Sequence, residues 1–176
     1  MTDERAAALR AQLEEFIGRP MNAGRSLAPD PVNVPMIRHW VDALDDQNPR
    51  YLAGDGVAPP AMLQTWTMGR PTIQGLAERG GAPGTVGRSA LSALDTAGYT
   101  ATRATNSELE FDRYLVPGDR LEASTVLEAI SDEKTTALGV GFFVTWVTTY
   151  KDDRGDVVGR QRFRVLKFKA TPGATS

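Results

Sequence analysis

Apolar residues recur with two different periods along this chain, and the change of period divides it in two. Over Ala6 to Ile17 the residues Ala7, Leu9, Leu13, Phe16 and Ile17 share one broad stripe, with Glu14 and Glu15 outside it. That spacing predicts a short helix, stopped by Gly18 and Pro20. Met21 to Leu27 reads as a short first strand. From Pro35 to Leu44, Ile37, Trp40, Val41 and Leu44 fall at i, i+3, i+4 and i+7, which puts them on one helix face. Pro35 is compatible with the first turn, where an N–H has no helical partner. Asn48 precedes Pro49 and is biased away from helical geometry, so the chain must turn there. A second helical stretch is expected from Pro60, carrying Ala61, Met62, Leu63 and Trp66; Pro71 should kink or end it, and Thr72 to Glu78 resumes it. Gly80 to Thr96 is rich in Gly, Ala and Ser and reads as a loop with a short helix at Ser89 to Asp95.

Beyond Gly98 the period becomes two. Thr102 to Phe111, Leu121 to Ile130, Thr136 to Tyr150 and Val157 to Phe168 suit strands. In the third, Leu138, Val140, Phe142, Val144, Trp146 and Tyr150 lie on one face. Pro117-Gly118-Asp119 and Asp152-Asp153-Arg154-Gly155 carry turn chemistry, the latter as a hairpin signal. Helices first and long strands later make an α+β pattern, without the alternation of an α/β fold. Ala170 to Ser176 is polar, contains Pro and Gly, and reads as a flexible tail or linker.

Composition narrows the class. The chain has 176 residues, 41% apolar and 24% charged, enough for one packed domain. A formal charge of -2 and a pI near 5.5 argue against a general nucleic-acid binder. With no cysteine, disulfides and thiolate metal sites are excluded; one histidine, His39, excludes His-based metal clusters. Met1 to Arg10 is charged and lacks a signal-peptide core, and the apolar run Phe142 to Val147 is too short to span a bilayer. A cytoplasmic protein with no membrane partner is expected. There is no Gly-rich phosphate loop and no G-x-S-x-G elbow.

Three segments carry a family resemblance. Asp45-Asp46-Gln47-Asn48-Pro49-Arg50-Tyr51, after an amphipathic helix, resembles the G-D-x-N-P-[aliphatic]-H signature of the MaoC-like R-specific enoyl-CoA hydratases. Ala58-Pro59-Pro60-Ala61-Met62-Leu63 stands where that family opens its central helix near H-G-M. Val116-Pro117-Gly118-Asp119-Arg120-Leu121 resembles its V-x-P-G-D-x-L turn. The resemblance covers most of Gly18 to Lys169 and implies a hotdog fold, an antiparallel sheet wrapped around a central helix. It divides the chain into an N-terminal helix over 1–17, a MaoC-like hotdog domain over 18–169 and a tail over 170–176.

The chemistry implied is addition of water to an enoyl-CoA double bond. That needs a base for the water, an acid for the α-carbon and donors on the thioester carbonyl. In the family the motif's Asp and His handle the water, and a glycine N–H at the central helix polarises the carbonyl. Here Asp46 matches the Asp, but Tyr51 replaces the His and Ala61 the glycine. Tyrosine, with an ordinary pKa near 10, is a poor base at neutrality. The departure resembles the non-catalytic half of a double hotdog. The whole chain, down to Gly159-Arg160-Gln161-Arg162-Phe163-Arg164-Val165-Leu166-Lys167-Phe168-Lys169, is most similar to the MaoC domain of the larger subunit of bacterial two-subunit steroid-side-chain enoyl-CoA hydratases. By that resemblance Asp46 and Tyr51 are a degenerate catalytic pair, and Asn48, Ala61, Trp66 and Arg164 are substrate-binding candidates. The partners implied are an enoyl-CoA thioester and a small catalytic MaoC-like hotdog subunit, or a second copy of the chain. No metal and no cofactor is implied beyond the coenzyme A of the substrate.

Each candidate also has a plainer reading. Asp46 and Asn48 can cap their own turn; Tyr51 can be a packed aromatic. Trp66 is either a core residue or the wall of an acyl tunnel. Arg160, Arg162 and Arg164 alternate on one strand face, either to cradle coenzyme A phosphates or to charge an exposed face. Three functions stay open: a hydratase subunit active only with a catalytic partner, a stand-alone homodimeric thioesterase or weak hydratase, and a non-catalytic acyl-CoA binder. Association is expected in each case, because Thr136 to Tyr150 would otherwise leave an open edge.

Overall fold

The computed structural model describes residues 3–52, 56–69 and 88–170. Its frame is an antiparallel sheet of β1 (Pro20–Leu27), β2 (Ala101–Phe111), β3 (Glu122–Ile130), β4 (Lys134–Thr136), β5 (Gly139–Lys151) and β6 (Val157–Ala170). The spatial order is β1-β3-β5-β6-β2, with β4 paired to the start of β5. With its helices, this is the expected α+β hotdog architecture.

The β5–β6 hairpin forms where its turn chemistry places it. The Gly155 N–H donates to the Asp152 carbonyl at 3.0 Å, and Gly155 adopts φ +89°, a conformation glycine takes without steric cost. Side chains then alternate along both strands. Phe142, Val144, Thr148 and Tyr150 on β5, and Gln161, Val165 and Lys167 on β6, are buried on the inner face that receives the helices.

Two expectations about this sheet are corrected. The strand read as Thr136 to Tyr150 is a hairpin: β4 ends at Thr136, the chain turns at Ala137-Leu138, and β5 begins at Gly139 with φ +139°. The Thr136 hydroxyl closes the turn, donating to the Gly139 carbonyl at 2.7 Å and accepting from the Leu138 N–H at 3.2 Å. Nor is this strand an open edge, since β5 is flanked by β3 and β6; the edges are β1 and β2.

The helices follow their end signals. In α2 (Val34–Leu44), Asn33 accepts the Met36 N–H at 3.0 Å, Pro35 sits in the first turn, and Ile37 and Val41 are buried. The helix ends at Asp45, which takes a left-handed φ of 51° that Asp tolerates better than most residues. Helix α1 (Asp3–Glu14) begins and ends three residues before the predicted helix and buries Leu9 and Leu13. A one-turn helix, α3 (Pro49–Leu52), follows the turn after α2. Helix α4 (Ala90–Thr96) is capped by a reciprocal Ser89–Ser92 pair.

The stretch expected as a second helix from Pro60 is two 3-10 turns instead, Pro60–Met62 and Thr65–Thr67. Pro71, Thr72 to Glu78 and residues 80–87 of the Gly80 to Thr96 loop, like the tail beyond Ala170, lie outside the described residues. Of the four apolar residues expected on this stretch, Met62, Leu63 and Trp66 are buried and Ala61 is exposed, and the helix is tighter than the spacing predicts.

Two apolar clusters fill the inner face. One joins Ile37, Ala58, Met62, Leu63, Trp66, Leu115, Tyr150 and Val158; the other joins Leu9, Leu13, Leu94, Tyr99, Leu127, Phe142, Val144 and Val165. Among the described residues no helix is long and apolar enough to cross a membrane.

Candidate functional site

The six-residue stretch from Asp46 to Tyr51 is a self-capped turn. One Asp46 carboxylate oxygen accepts the Asn48 N–H at 2.9 Å, and the Asn48 side-chain oxygen accepts the Arg50 N–H at 3.1 Å. The Tyr51 N–H donates to the Asn48 carbonyl at 3.0 Å, starting α3. The capping role foreseen for Asp46 and Asn48 is therefore real, and it engages one oxygen of each side chain.

This turn brings Asp46 and Tyr51 together with a residue from the far side of the sequence, Tyr114. The Tyr51 phenol is held above its ordinary pKa, first by burial and then by Tyr114 and Asp46, with Arg50 opposing. At neutral pH it keeps its proton. Arg50 lies over the Tyr114 ring, 5.5 Å from its centre, and donates to its hydroxyl at 3.3 Å. The Ala58 N–H donates to the Leu115 carbonyl at 2.8 Å and ties this corner to the first 3-10 turn.

Tyr114 is positioned by its neighbour. Arg113 donates to the Asp119 carboxylate at 2.6 and 3.2 Å and to Asp152 at 3.0 Å, clamping the Pro117-Gly118-Asp119 turn to the β5–β6 hairpin. The Asp152 side chain is 1% exposed. Its burial works to raise the pKa, but hydrogen bonds from Arg113, the Asp156 N–H and Arg154 outweigh that and hold the carboxyl down at about 2.

The remaining candidates are spread out. Ala61 is exposed in the first 3-10 turn. Trp66 is buried in the cluster with Ile37 and Tyr150, and its indole N–H has no hydrogen-bond partner among the described residues. Arg164 is not brought to this corner. It occupies the sheet face opposite Gln161 and Lys167, stacks 5.4 Å from the Phe143 ring centre and donates twice to the Asn106 side-chain oxygen. Its neighbours Arg160 and Arg162 pair with Asp112, Glu108 and Glu128, as the charged-face reading expects. None of the six candidates lines either of two larger cavities: one of about 610 Å³ between α1 and α4, the other of about 570 Å³ beside the β5–β6 turn. His39 is exposed.

Sequence reading missed Arg50 and Tyr114, which meet across 64 positions with no local signal, and Gln161, whose burial shows only once the strands are registered.

Residues 15–161 match the model of the FAS1-like, dehydratase domain region. A probable enoyl-CoA hydratase alpha subunit from Thermomonospora curvata is 44% identical over 90% of this chain and 51% of its own length. The 3-oxo-4,17-pregnadiene-20-carboxyl-CoA hydratase alpha subunit of Mycobacterium tuberculosis is 36% identical over 94% of this chain and 55% of its own. The chain thus spans about half the length of the curated relatives it matches. A chain in the crystal structure of the ChsH1-ChsH2 complex from Mycobacterium tuberculosis superposes with a TM-score of 0.75 at 32% identity, over 99% of this chain and 97% of that one. The sheet order and these matches agree: the chain belongs to the FAS1-like dehydratase domain family, as a MaoC-like hotdog protein.

Proposed function

We propose that this chain is a subunit of an enoyl-CoA hydratase that shapes the pocket for a bulky, fused-ring acyl group while a second hotdog chain supplies the Asp and His that handle water. The observation that carries the reading is the state of its own pair. One Asp46 oxygen is occupied by the Asn48 N–H, and Tyr51 keeps its proton at neutral pH. A hydratase site needs a base in the same place, and the corner as built offers a donor. The naming of two relatives as alpha subunits supports a two-subunit enzyme, and the pregnadiene-carboxyl-CoA named for one supports a ring-bearing acyl group.

In this reading Asn48, Ala61 and Trp66 border the acyl group on the inner side of the sheet. Arg164, on the outer face, would meet only the coenzyme A moiety. The substrate brings coenzyme A, and no other cofactor is assigned.

The test is steady-state hydration of a fused-ring enoyl-CoA by the chain alone and with its catalytic hotdog partner. Turnover is expected only from the pair; robust turnover by the chain alone would overturn the assignment. Within the complex, Tyr51→Phe should leave kcat within about threefold, because loss of a true general acid or base costs about 100-fold or more.

A further inference from the structure

One polar group intrudes into the apolar inner face beside the second 3-10 turn. Gln161, 7% exposed, lies between the buried Tyr150 and the edge strand β2. A buried primary amide left without hydrogen-bond partners destabilises the fold, so its partners matter. The Tyr150 hydroxyl donates to the Gln161 oxygen at 3.3 Å. The Gln161 amino group donates to the Gln64 side-chain oxygen at 3.3 Å and to the Ser107 hydroxyl oxygen at 3.1 Å. Burial pushes the Tyr150 phenol up to about 12, so it stays a donor.

The direction of these bonds fixes what the surface displays. Both amino hydrogens of Gln161 are used. Gln64 turns its carbonyl inward, and its own amino group has no partner among the described residues. Ser107 receives a hydrogen bond on oxygen and keeps its proton to give. Both side chains are exposed. Trp66, two residues beyond Gln64, adds an independent sign of a missing acceptor: its buried indole N–H has no partner among the described residues. Buried donors are ordinarily paired, so this one calls for an acceptor from elsewhere. The three donors sit on the segment that opens with Ala61 and on the strand facing it, and none of Gln64, Trp66, Ser107, Tyr150 or Gln161 is charged. Such a set suits a neutral oxygen better than a carboxylate or phosphate, which would call for arginine or lysine.

We infer that Gln64 and Ser107, aimed by Gln161, form a donor subsite for a carbonyl or hydroxyl oxygen carried on the acyl group away from the thioester; this rests on the hydratase reading above and makes its substrate class narrower. The subsite is a specificity device. It takes no part in the addition of water.

The test uses the complex of this chain with its catalytic partner and two fused-ring enoyl-CoA substrates that differ only by a ring ketone. Wild-type complex is expected to favour the ketone in kcat/KM. Gln64→Leu and Ser107→Ala should each lower that preference about 3- to 10-fold, the loss appearing in KM, as for one hydrogen bond removed. Both positions are exposed, so folding is expected to persist, checked by Tm and by co-elution with the partner. A preference unchanged in both variants, with the complex intact, overturns the subsite and leaves the hydratase reading standing. Variants that break the complex without changing the preference of what remains overturn it in favour of a partner contact. A wild-type complex that hydrates neither substrate overturns the hydratase reading, and the subsite with it.

Discussion

Asp152 shows how a residue remote from the water chemistry can hold the candidate site together. It reaches Arg113, Arg154 and two backbone N–H groups from a buried position, and Arg113 carries the chain directly into Tyr114 beside Tyr51. Its carboxyl titrates near 2, below the ordinary carboxylate range, because hydrogen bonds to the charged form outweigh burial. A group with a depressed folded pKa adds stability that is present above its unfolded pKa and is lost as pH falls through the folded value. The expected outcome is a fall in Tm as the pH is lowered from about 4 toward 2. Asp152→Asn should start from a lower Tm at pH 7 and show a flatter acid limb, read by thermal melts across that window. An equal acid slope in both proteins would remove Asp152 from the account.

At the scale of elements, what could be read from the chain depended on whether the deciding contact was local. Helix α2 was legible because its cap, its proline and its apolar spacing all lie within a dozen residues. The β5–β6 hairpin was legible for the same reason. The β4–β5 break was not, since Thr135, Thr136, Ala137 and Leu138 continue an ordinary strand pattern and only the Thr136 hydroxyl and Gly139 make the turn. The 3-10 turns were misread because Met62, Leu63 and Trp66 have the spacing of a helix face as well. The site divides likewise: the Asp46 turn was readable, whereas Tyr114 and Gln161 arrive through strand register. Register also exposes an edge. The Asp112 N–H donates to the Val158 carbonyl at 3.0 Å, and antiparallel bonds alternate, so Ser107, Leu109 and Phe111 turn their backbone groups to the free side of β2. Phe111→Pro should therefore remove no backbone bond among the described residues. It is expected to leave Tm nearly unchanged and to weaken association with the partner hotdog at least tenfold in Kd, measured by titration calorimetry. Unchanged affinity would place the partner on another surface.

Across the whole molecule the two apolar clusters divide the labour. The cluster with Met62, Trp66, Leu115 and Tyr150 contains Trp66 and, through the Tyr150 hydroxyl, holds the Gln161 amide that reaches Gln64 and Ser107. The cluster with Leu13, Leu94, Tyr99 and Phe142 ties α1 and α4 to the other end of the sheet and has none of the acyl-group candidates as a member. Tyr99 is fully buried there, its ring edge-on to Phe142 at 5.0 Å, its hydroxyl on Glu133 and Lys169 across its face at 4.2 Å. Both clusters hold side chains with no exposure, so truncation in either should destabilise by about 2–5 kcal/mol. Their functional consequences should differ. Leu94→Ala, at a side chain with no exposure, is expected to lower Tm while the complex keeps its kcat/KM ratio between small and fused-ring enoyl-CoA substrates. Met62→Ala, equally buried, should lower Tm by a similar amount and shift that ratio, because the cavity opens beneath Trp66 and the Ala61 turn. Matching shifts from the two variants, measured below both melting points, would show that the sheet transmits strain from end to end and that the pocket is a property of the whole core.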